Sequence, residues 1–457
     1  MAKQKFKDVE KKVLGRVTPS QSDRSRLEKV IEELKDRVGE ELKSRGLSAS
    51  IELVGSIAKD TFLRENLDVD LFVSFPTGFS KEDIGSIALS IGRKILRDTE
   101  ECYAEHPYIR GFYHGERVEI VPCYKIESAS QKLSAVDRTP LHTEYVKEHL
   151  QESQKQEVRL FKQFLRGIGC YGAEAEVEGF SGYLCEILVI KYGSFRDLLQ
   201  RARKWKPGEK LALSEDGYPV FDTPLVFIDP VDSDRNVASA LSNEKFDLFV
   251  KACGEYLKNP SMCFFFPNKV KPWSLEKIRS EIEKEGFLYV GVKVVKPDII
   301  DENLYPQIRK AVRSIRDVCE RNGFTVYDAV FHVDTGEDVV LVVVKTGVEP
   351  LSETFVHVGP PVRLKKNGEE FVRKWEDDPR VTKGPYRRDG RFYVELKRDY
   401  VDIRDFLEDK VKDLGMGRHL DSVRDKNFEI VGLDGLLKEG LRVFWTVYLD
   451  GKLPWER

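Results

Sequence analysis

A Gly-Ser pair at 55–56, followed twelve residues later by Asp68-Val69-Asp70 in an apolar run, constrains this chain more than any other feature. Val69 to Phe75 is rich in β-branched and aromatic residues and predicts a strand. Side chains alternate along a strand, so Asp68 and Asp70 share one face while Val69, Leu71 and Val73 take the other. Two neighbouring carboxylates repel each other, and a hard divalent cation such as Mg²⁺ turns that repulsion into binding. Gly55 and Ser56 offer backbone N–H groups and a hydroxyl near a helix start, where a phosphate can be held. A second short strand, from Arg117 to Pro122, puts Val118 and Ile120 on one face and Glu119 on the other. Laid beside the first strand, it would complete a three-carboxylate cluster. An isolated Asp-x-Asp is no more than a solvated edge strand, whereas a phosphate grip next to a metal cluster points to nucleotidyl transfer.

At 457 residues the chain has room for two to four domains, each with its own core. Its 75 basic and 78 acidic residues give a formal charge of −3, so any surface for RNA must be a local patch. Seven cysteines show no CxxC spacing and are expected to be buried, reduced thiols of a cytoplasmic protein. The N-terminus carries no apolar signal region and no run approaches eighteen apolar residues, which argues against secretion and membrane spanning.

The pattern predicts an α+β multidomain chain. Residues 1–138 are expected to form a small mixed-sheet catalytic domain. Its first clear helix is capped by Thr18, with Pro19 in the first turn and Gln21 closing a capping box. Leu27, Val30, Ile31, Leu34, Val38 and Leu42 form its apolar stripe up to a stop at Gly46. A helix from Lys81 to Arg97 follows the acidic strand, then two short strands ending at Pro122. Residues 139–271 read as mainly helical, with helices at 156–167 and from Phe180-Ser181. A loop or hairpin insertion is expected between Pro207 and Pro224, and a further helix from Asn236 to Ala240 and onward. Residues 272–457 open as strand (287–295), helix (304–321), strand (324–333), strand (339–344), the start of a ferredoxin-like or RNA-recognition-type body with a tail.

Between Arg363 and Arg398 twelve Lys/Arg face seven Asp/Glu, with Trp375, Tyr386, Phe392 and Tyr393 interleaved. Cations next to aromatic rings can track a phosphate backbone and stack on bases, so Arg387, Arg388 and Arg391 are candidate RNA contacts. The alternative for this stretch is a solvated loop over core aromatics. A second basic run, from Arg196 to Lys206 around Trp205, reads as a helix end favouring cations.

The Gly-Ser turn with Asp68 and Asp70 resembles the nucleotidyltransferase superfamily that includes poly(A) polymerases. Within it, VEIVPCY, DRTPLHT, EVRLFKQFLRGIGCYGAE, GFSGYLCEILVIKYGSF and DPVDSDRNVASAL resemble the archaeal (class I) CCA-adding enzymes, the tRNA nucleotidyltransferases. The resemblance implies that Asp68, Asp70 and Glu119 are the catalytic, metal-binding carboxylates. It implies that Gly55, Ser56, Lys59, His142, Lys162, Tyr171 and Arg235 surround the nucleotide. Taken singly, His142 reads as a loop histidine, Lys162 as the wet face of its helix and Tyr171 as a core aromatic. Arg235 has Asp232 and Asp234 as nearby candidate partners. The family pattern has Glu before Asp on the first strand and Asp on the second, and Arg where this chain has Lys59. The implied activity is stepwise, untemplated addition of C, C and A to tRNA from CTP and ATP, with Mg²⁺ as cofactor. A poly(A) polymerase-like enzyme and a non-catalytic RNA-binding protein are the alternatives. The sequence leaves room for a homodimer with its interface in the C-terminal third.

Overall fold

A computed structural model describes residues 2–65, 67–103, 105–213, 219–425 and 427–457. The chain divides into two compact units, residues 1–269 with 453–457, and residues 270–452.

The first unit begins with helices α1 (Ala2–Val17) and α2 (Gln21–Ser44). Ser20, not Thr18, caps α2, and Asp23 rather than Gln21 closes the capping box. Thr18 instead donates from its hydroxyl to Gln156 Oε1 at 3.1 Å, a long-range partner invisible to local pattern. All six residues of the stripe predicted for α2 are buried. Then follow β1 (Ser50–Val54), the one-turn helix α3 (Gly55–Ala58), β2 (Asp68–Phe75) and α4 (Lys81–Ile95). Three strands succeed α4 where two were expected: β3 (Arg97–Tyr103), β4 (Pro107–Tyr113) and β5 (Glu116–Tyr124). The extra strand is β3, whose residues are almost all exposed and so carry no apolar alternation to read.

These strands form a mixed sheet in the order β1-β2-β5-β4-β3, with β2 and β5 parallel. Val69, Leu71 and Val73 pack with Val118 and Ile120 under α2 and α4, as the alternation predicts. The opposite face carries the acidic residues, and a small cluster of Val54, Phe72, Val121 and Cys123 closes its far end.

Helices α5 (Arg138–His149), α6 (Gln154–Gly167), α7 (Gly182–Tyr192) and α8 (Phe195–Ala202) follow. Strands β6 (Glu209–Leu211), β7 (Leu225–Asp229) and β8 (Asp232–Asn236) make a small sheet before α9 (Asn243–Lys258). The helix expected from Asn236 therefore starts later, at Asn243, capped by Ser242. Asn236 ends a strand because its side-chain oxygen accepts from the backbone N–H of Phe227, and its amide donates back to the Leu225 carbonyl. Part of the predicted 207–224 insertion, residues 214–218, lies outside the described residues. An aromatic-rich core including Phe161, Phe164, Phe180, Phe195, Phe249 and Tyr256 unites these helices. Trp205, inside the second basic run, belongs to that core, while Arg196 pairs with Glu10. All seven cysteines are free, and Cys102 and Cys263 are only partly buried, unlike the other five.

The second unit starts with α10 (Leu275–Glu285), β9 (Phe287–Val295), α11 (Asp301–Arg321), β10 (Val326–Asp334) and β11 (Val339–Gly347). An inserted layer comes next, β12 (Thr354–Pro361), α12 (Lys365–Trp375), β13 (Val381–Arg388) and β14 (Arg391–Lys397). The unit closes with α13 (Ile403–Lys410), α14 (Arg418–Arg424), β15 (Phe428–Val431), α15 (Leu433–Leu436) and α16 (Arg442–Asp450). Its main sheet is antiparallel in the order β10-β11-β9-β15, the arrangement of a ferredoxin-like body. The inserted sheet, β12-β14-β13, carries the basic stretch. Trp375 of α12 and Phe392 of β14 are buried in one small core, so that stretch is half core and half surface rather than a loop.

Candidate active site

The parallel register of β2 and β5 sets Asp70 directly beside Glu119, with Asp68 beside Arg117. Burial, then the charges of Glu119 and Asp68, push Asp70 up to about 7. Such crowding of hard oxygen donors suits a divalent cation. Glu119 and Asp68 each have a basic neighbour. Arg110 Nε on β4 donates to Glu119 Oε1 at 2.7 Å, and Arg117 lies 3.7 Å from Asp68. Among the described residues, no three His, Cys, Asp or Glu side chains converge on one metal position.

Gly55 is what lets the turn approach this cluster. It has φ +71°, and a Cβ there would fall 2.0 Å from Asp70 Oδ2. Behind the turn lies a buried polar group that sequence reasoning did not assemble. Lys59 Nζ donates to Glu186 Oε2 at 2.5 Å, and Lys162 Nζ donates to Glu186 Oε1 at 3.0 Å. Thr61 Oγ1 donates to Glu186 Oε1 at 2.5 Å. Glu186 is fully buried, yet Lys162 and Lys59 hold its carboxyl down at about 2. Lys162 is therefore an interior residue and not the wet face of α6. Tyr171 is partly buried at the edge of the aromatic core, under the Arg166 guanidinium at 5.2 Å. Burial pushes its hydroxyl pKa up. A Cβ on Gly182 would lie 3.3 Å from that hydroxyl and 3.8 Å from Lys162 Nζ, which places the two close together.

His142 and Arg235 meet at a second buried acid. His142 Nε2 bonds Asp229 Oδ2 at 2.8 Å, and Arg235 donates to the same oxygen at 2.7 Å. Tyr183 Oη donates to Asp229 Oδ1 at 3.0 Å. His142 sits on α5, not in a loop, stacked on the Tyr183 ring at 4.0 Å, and burial draws its pKa down. Arg235 thus pairs with Asp229, while Asp232 is taken by Lys132 and Arg138. Tyr183 links both groups, because Lys59 Nζ lies 5.9 Å from the same ring. Of the residues missed in the sequence, Glu186 left a trace, a lone carboxylate within the apolar run Leu184–Ile190. Asp229 ends the apolar strand β7, and Arg110 leaves no signal at all.

Residues 18–142 match the nucleotidyltransferase domain, 156–266 the second domain of tRNA nucleotidyltransferase, and 285–432 the C-terminal domain of the CCA-adding enzyme. The CCA-adding enzyme of Methanosarcina barkeri is 36% identical over 93% of this chain and 94% of its own. The chain belongs to the CCA-adding enzyme family. The Haloarcula marismortui CCA-adding enzyme is 34% identical over 98% of this chain and 99% of its own. Among solved structures, E. coli MS115-1 CdnC with ATP superposes with a TM-score of 0.44 and 16% identity, over 56% of this chain and 94% of that one.

The three candidate contacts in the basic stretch lie in the second unit. All three are exposed: Arg387 stands 5.0 Å from the Phe392 ring, Arg388 4.9 Å from Tyr393, and Arg391 also donates to the Gly359 carbonyl at 3.1 Å. Among the described residues no helix is long and apolar enough to cross a membrane.

Proposed function

We propose that this CCA-adding enzyme completes tRNA by transferring CMP, CMP and AMP in turn from CTP and ATP to the 3′ end, without a template and with two Mg²⁺ ions. The observation that carries the reading is the side-by-side placement of Asp70 and Glu119 opposite the Gly55 turn and Lys59, in a chain of this family. The tRNA 3′ hydroxyl gives up its proton to solvent as its oxygen bonds the α-phosphorus, the bond from that phosphorus to the bridging oxygen breaks, and pyrophosphate leaves.

Asp70 and Glu119 face the attacking hydroxyl, and Asp68 faces the nucleotide side. The chemistry two Mg²⁺ ions supply when bound is activation of that hydroxyl and neutralisation of charge on the leaving oxygen. Ser56 and the Gly55 turn hold phosphate oxygens, and Lys59, backed by Lys162 and Tyr171, supplies positive charge. His142, its pKa drawn down by burial, serves as a hydrogen-bonding and stacking group. Arg235, aimed by Asp229, faces the base. Residues 1–138 and 139–271 share this site, while 272–457 bind tRNA by shape and phosphate contact along an A-form stem.

The deciding experiment incubates the protein with tRNA lacking its last three nucleotides. Two C residues followed by one A and then arrest is the expected product. Extension with ATP alone on any RNA, or no extension at all, overturns the reading. Sedimentation with and without tRNA tests whether two copies of the chain associate.

A further inference from the structure

We propose that Asp232, held by Lys132 and Arg138, is a positioning residue that fixes the β7–β8 hairpin so that Arg235 can discriminate between the bases of incoming nucleotides. This rests on the nucleotidyl-transfer reading above, in which Arg235 faces the base, and extends it to the groups that hold the hairpin.

Two basic side chains converge on one oxygen. Lys132 Nζ donates to Asp232 Oδ2 at 2.6 Å, and Arg138 Nη1 donates to the same atom at 2.7 Å. Asp232 and Arg138 are 7% and 14% exposed, so water competes little for these charge-assisted bonds. Burial raises the Asp232 carboxyl, and the bonds from Lys132 and Arg138 outweigh it, which keeps the acid charged.

The basic partners are themselves tied to the catalytic sheet. Asp137, next to Arg138 and wholly buried, accepts from the backbone N–H groups of Tyr124, Leu133 and Ser134 at 2.9, 2.9 and 2.7 Å. Tyr124 ends β5, the strand that carries Glu119. From Glu119 to Asp232 the path is one strand, one buried carboxylate and two short ionic bonds.

The hairpin needs this second anchor. His142 holds Asp229 at the end of β7, and Asp229 is the cross-strand neighbour of Asp232. One point of attachment leaves a two-stranded hairpin free to pivot, whereas two points on the segment 132–142 do not. Asp229 aims the Arg235 side chain within the hairpin, and Asp232 sets the hairpin against the sheet. A displacement of about 1 Å at such a group costs on the order of a hundredfold in rate. Arg138 Nε is buried and has no partner, so a direct grip on substrate is the rival role for this residue.

A cycle of Arg138→Met, Asp232→Asn and the pair together separates the two. On tRNA lacking its last three nucleotides, the readout is the ratio of kcat/KM for CTP to that for ATP, with the melting temperature measured alongside. Either single change is expected to lower the ratio about tenfold, and the double variant to match Asp232→Asn within about twofold. Arg138→Lys keeps a cation for Asp232 and is expected to hold the ratio within about threefold of the parent. Losses that multiply in the double variant would mean that Arg138 touches substrate and would overturn the proposal. So would an equal fall in kcat for both nucleotides with the ratio unchanged, the mark of a merely structural role. Should Asp232→Asn fail to fold, Arg138→Met against Arg138→Lys still decides, because only the first must lose discrimination. Arg235→Met tells the two levels apart. An unaltered ratio there overturns the base-facing role of Arg235 and this proposal with it, whereas a lowered ratio there and none in Asp232→Asn overturns the tether alone.

Discussion

Arg110 and Glu119 are cross-strand partners on β4 and β5, and the arginine Nε holds the glutamate at 2.7 Å. The same carboxylate is a proposed metal ligand, so Arg110 competes with the cation for it. The pair is partly exposed, at 29% and 20%, and an interaction of that kind is worth at most about 1 kcal/mol. Arg110→Gln is therefore expected to lower the Mg²⁺ concentration for half-maximal activity by about two- to fivefold, read from a metal titration of CMP incorporation.

Removing a carboxylate while keeping its shape isolates its charge. Asp68→Asn, Asp70→Asn and Glu119→Gln are each expected to cut CMP incorporation about a thousandfold. Affinity for tRNA, measured by filter binding, should stay within about twofold.

Asp70, at about 7, keeps a proton in the folded protein that an ordinary aspartate loses near 3.8. Its stabilising contribution is therefore full below about pH 4 and is lost as pH rises towards 7, amounting to at most about 4 kcal/mol. Glu186 and Asp229, held down at about 2, act in a separate window: their contribution is present above pH 4 and lost as pH falls towards 2. Metal-free protein should thus melt at lower temperature at pH 7.5 than at pH 5, with the slope flattened in Asp70→Asn. Mg²⁺ should raise the melting temperature at the higher pH.

Gly55 has both a left-handed backbone and no space for a side chain. Gly55→Ala is expected to cost about 1–3 kcal/mol of stability and to displace Asp70. A loss of activity larger than the loss at Gly46→Ala is the check, since Gly46 shares the positive φ but has open space around its Cβ position.

Arg387 and Arg388 lie exposed over aromatic rings on the inserted sheet. Reversing both charges should raise the tRNA KM and reduce the slope of log KM against log salt by about two, one for each phosphate no longer neutralised. Unchanged kinetics would remove the patch from the RNA surface.

Much of this architecture is written in local periodicity. The alternation around Asp68 and Asp70 and the stripe of α2 are read directly, because the packed face imposes its period on the residues, and the strand Phe287–Val295, packed on both faces, is read from its β-branched and aromatic run. The cap of α2 falls two residues beyond Thr18, since Thr18 and Ser20 have the same capping chemistry and only the distant Gln156 separates them. Strand β3 is illegible in the sequence because it is exposed on both faces. At the site, residues on one short segment can be grouped from sequence. The acids that orient the basic side chains cannot, since Glu186 and Asp229 act across separations of 127 and 87 residues.

The bond from Lys59 to Glu186 joins the mixed-sheet region to the helices that follow it. A catalytic fragment ending before α7 would be left with a desolvated ammonium and no carboxylate to hold it. Chimeras that exchange front halves between relatives should therefore work only when positions 59, 162 and 186 travel as a matched set. Recombination within this region is constrained by a charge trio rather than by the crossover loops, and its members should drift together over evolutionary time.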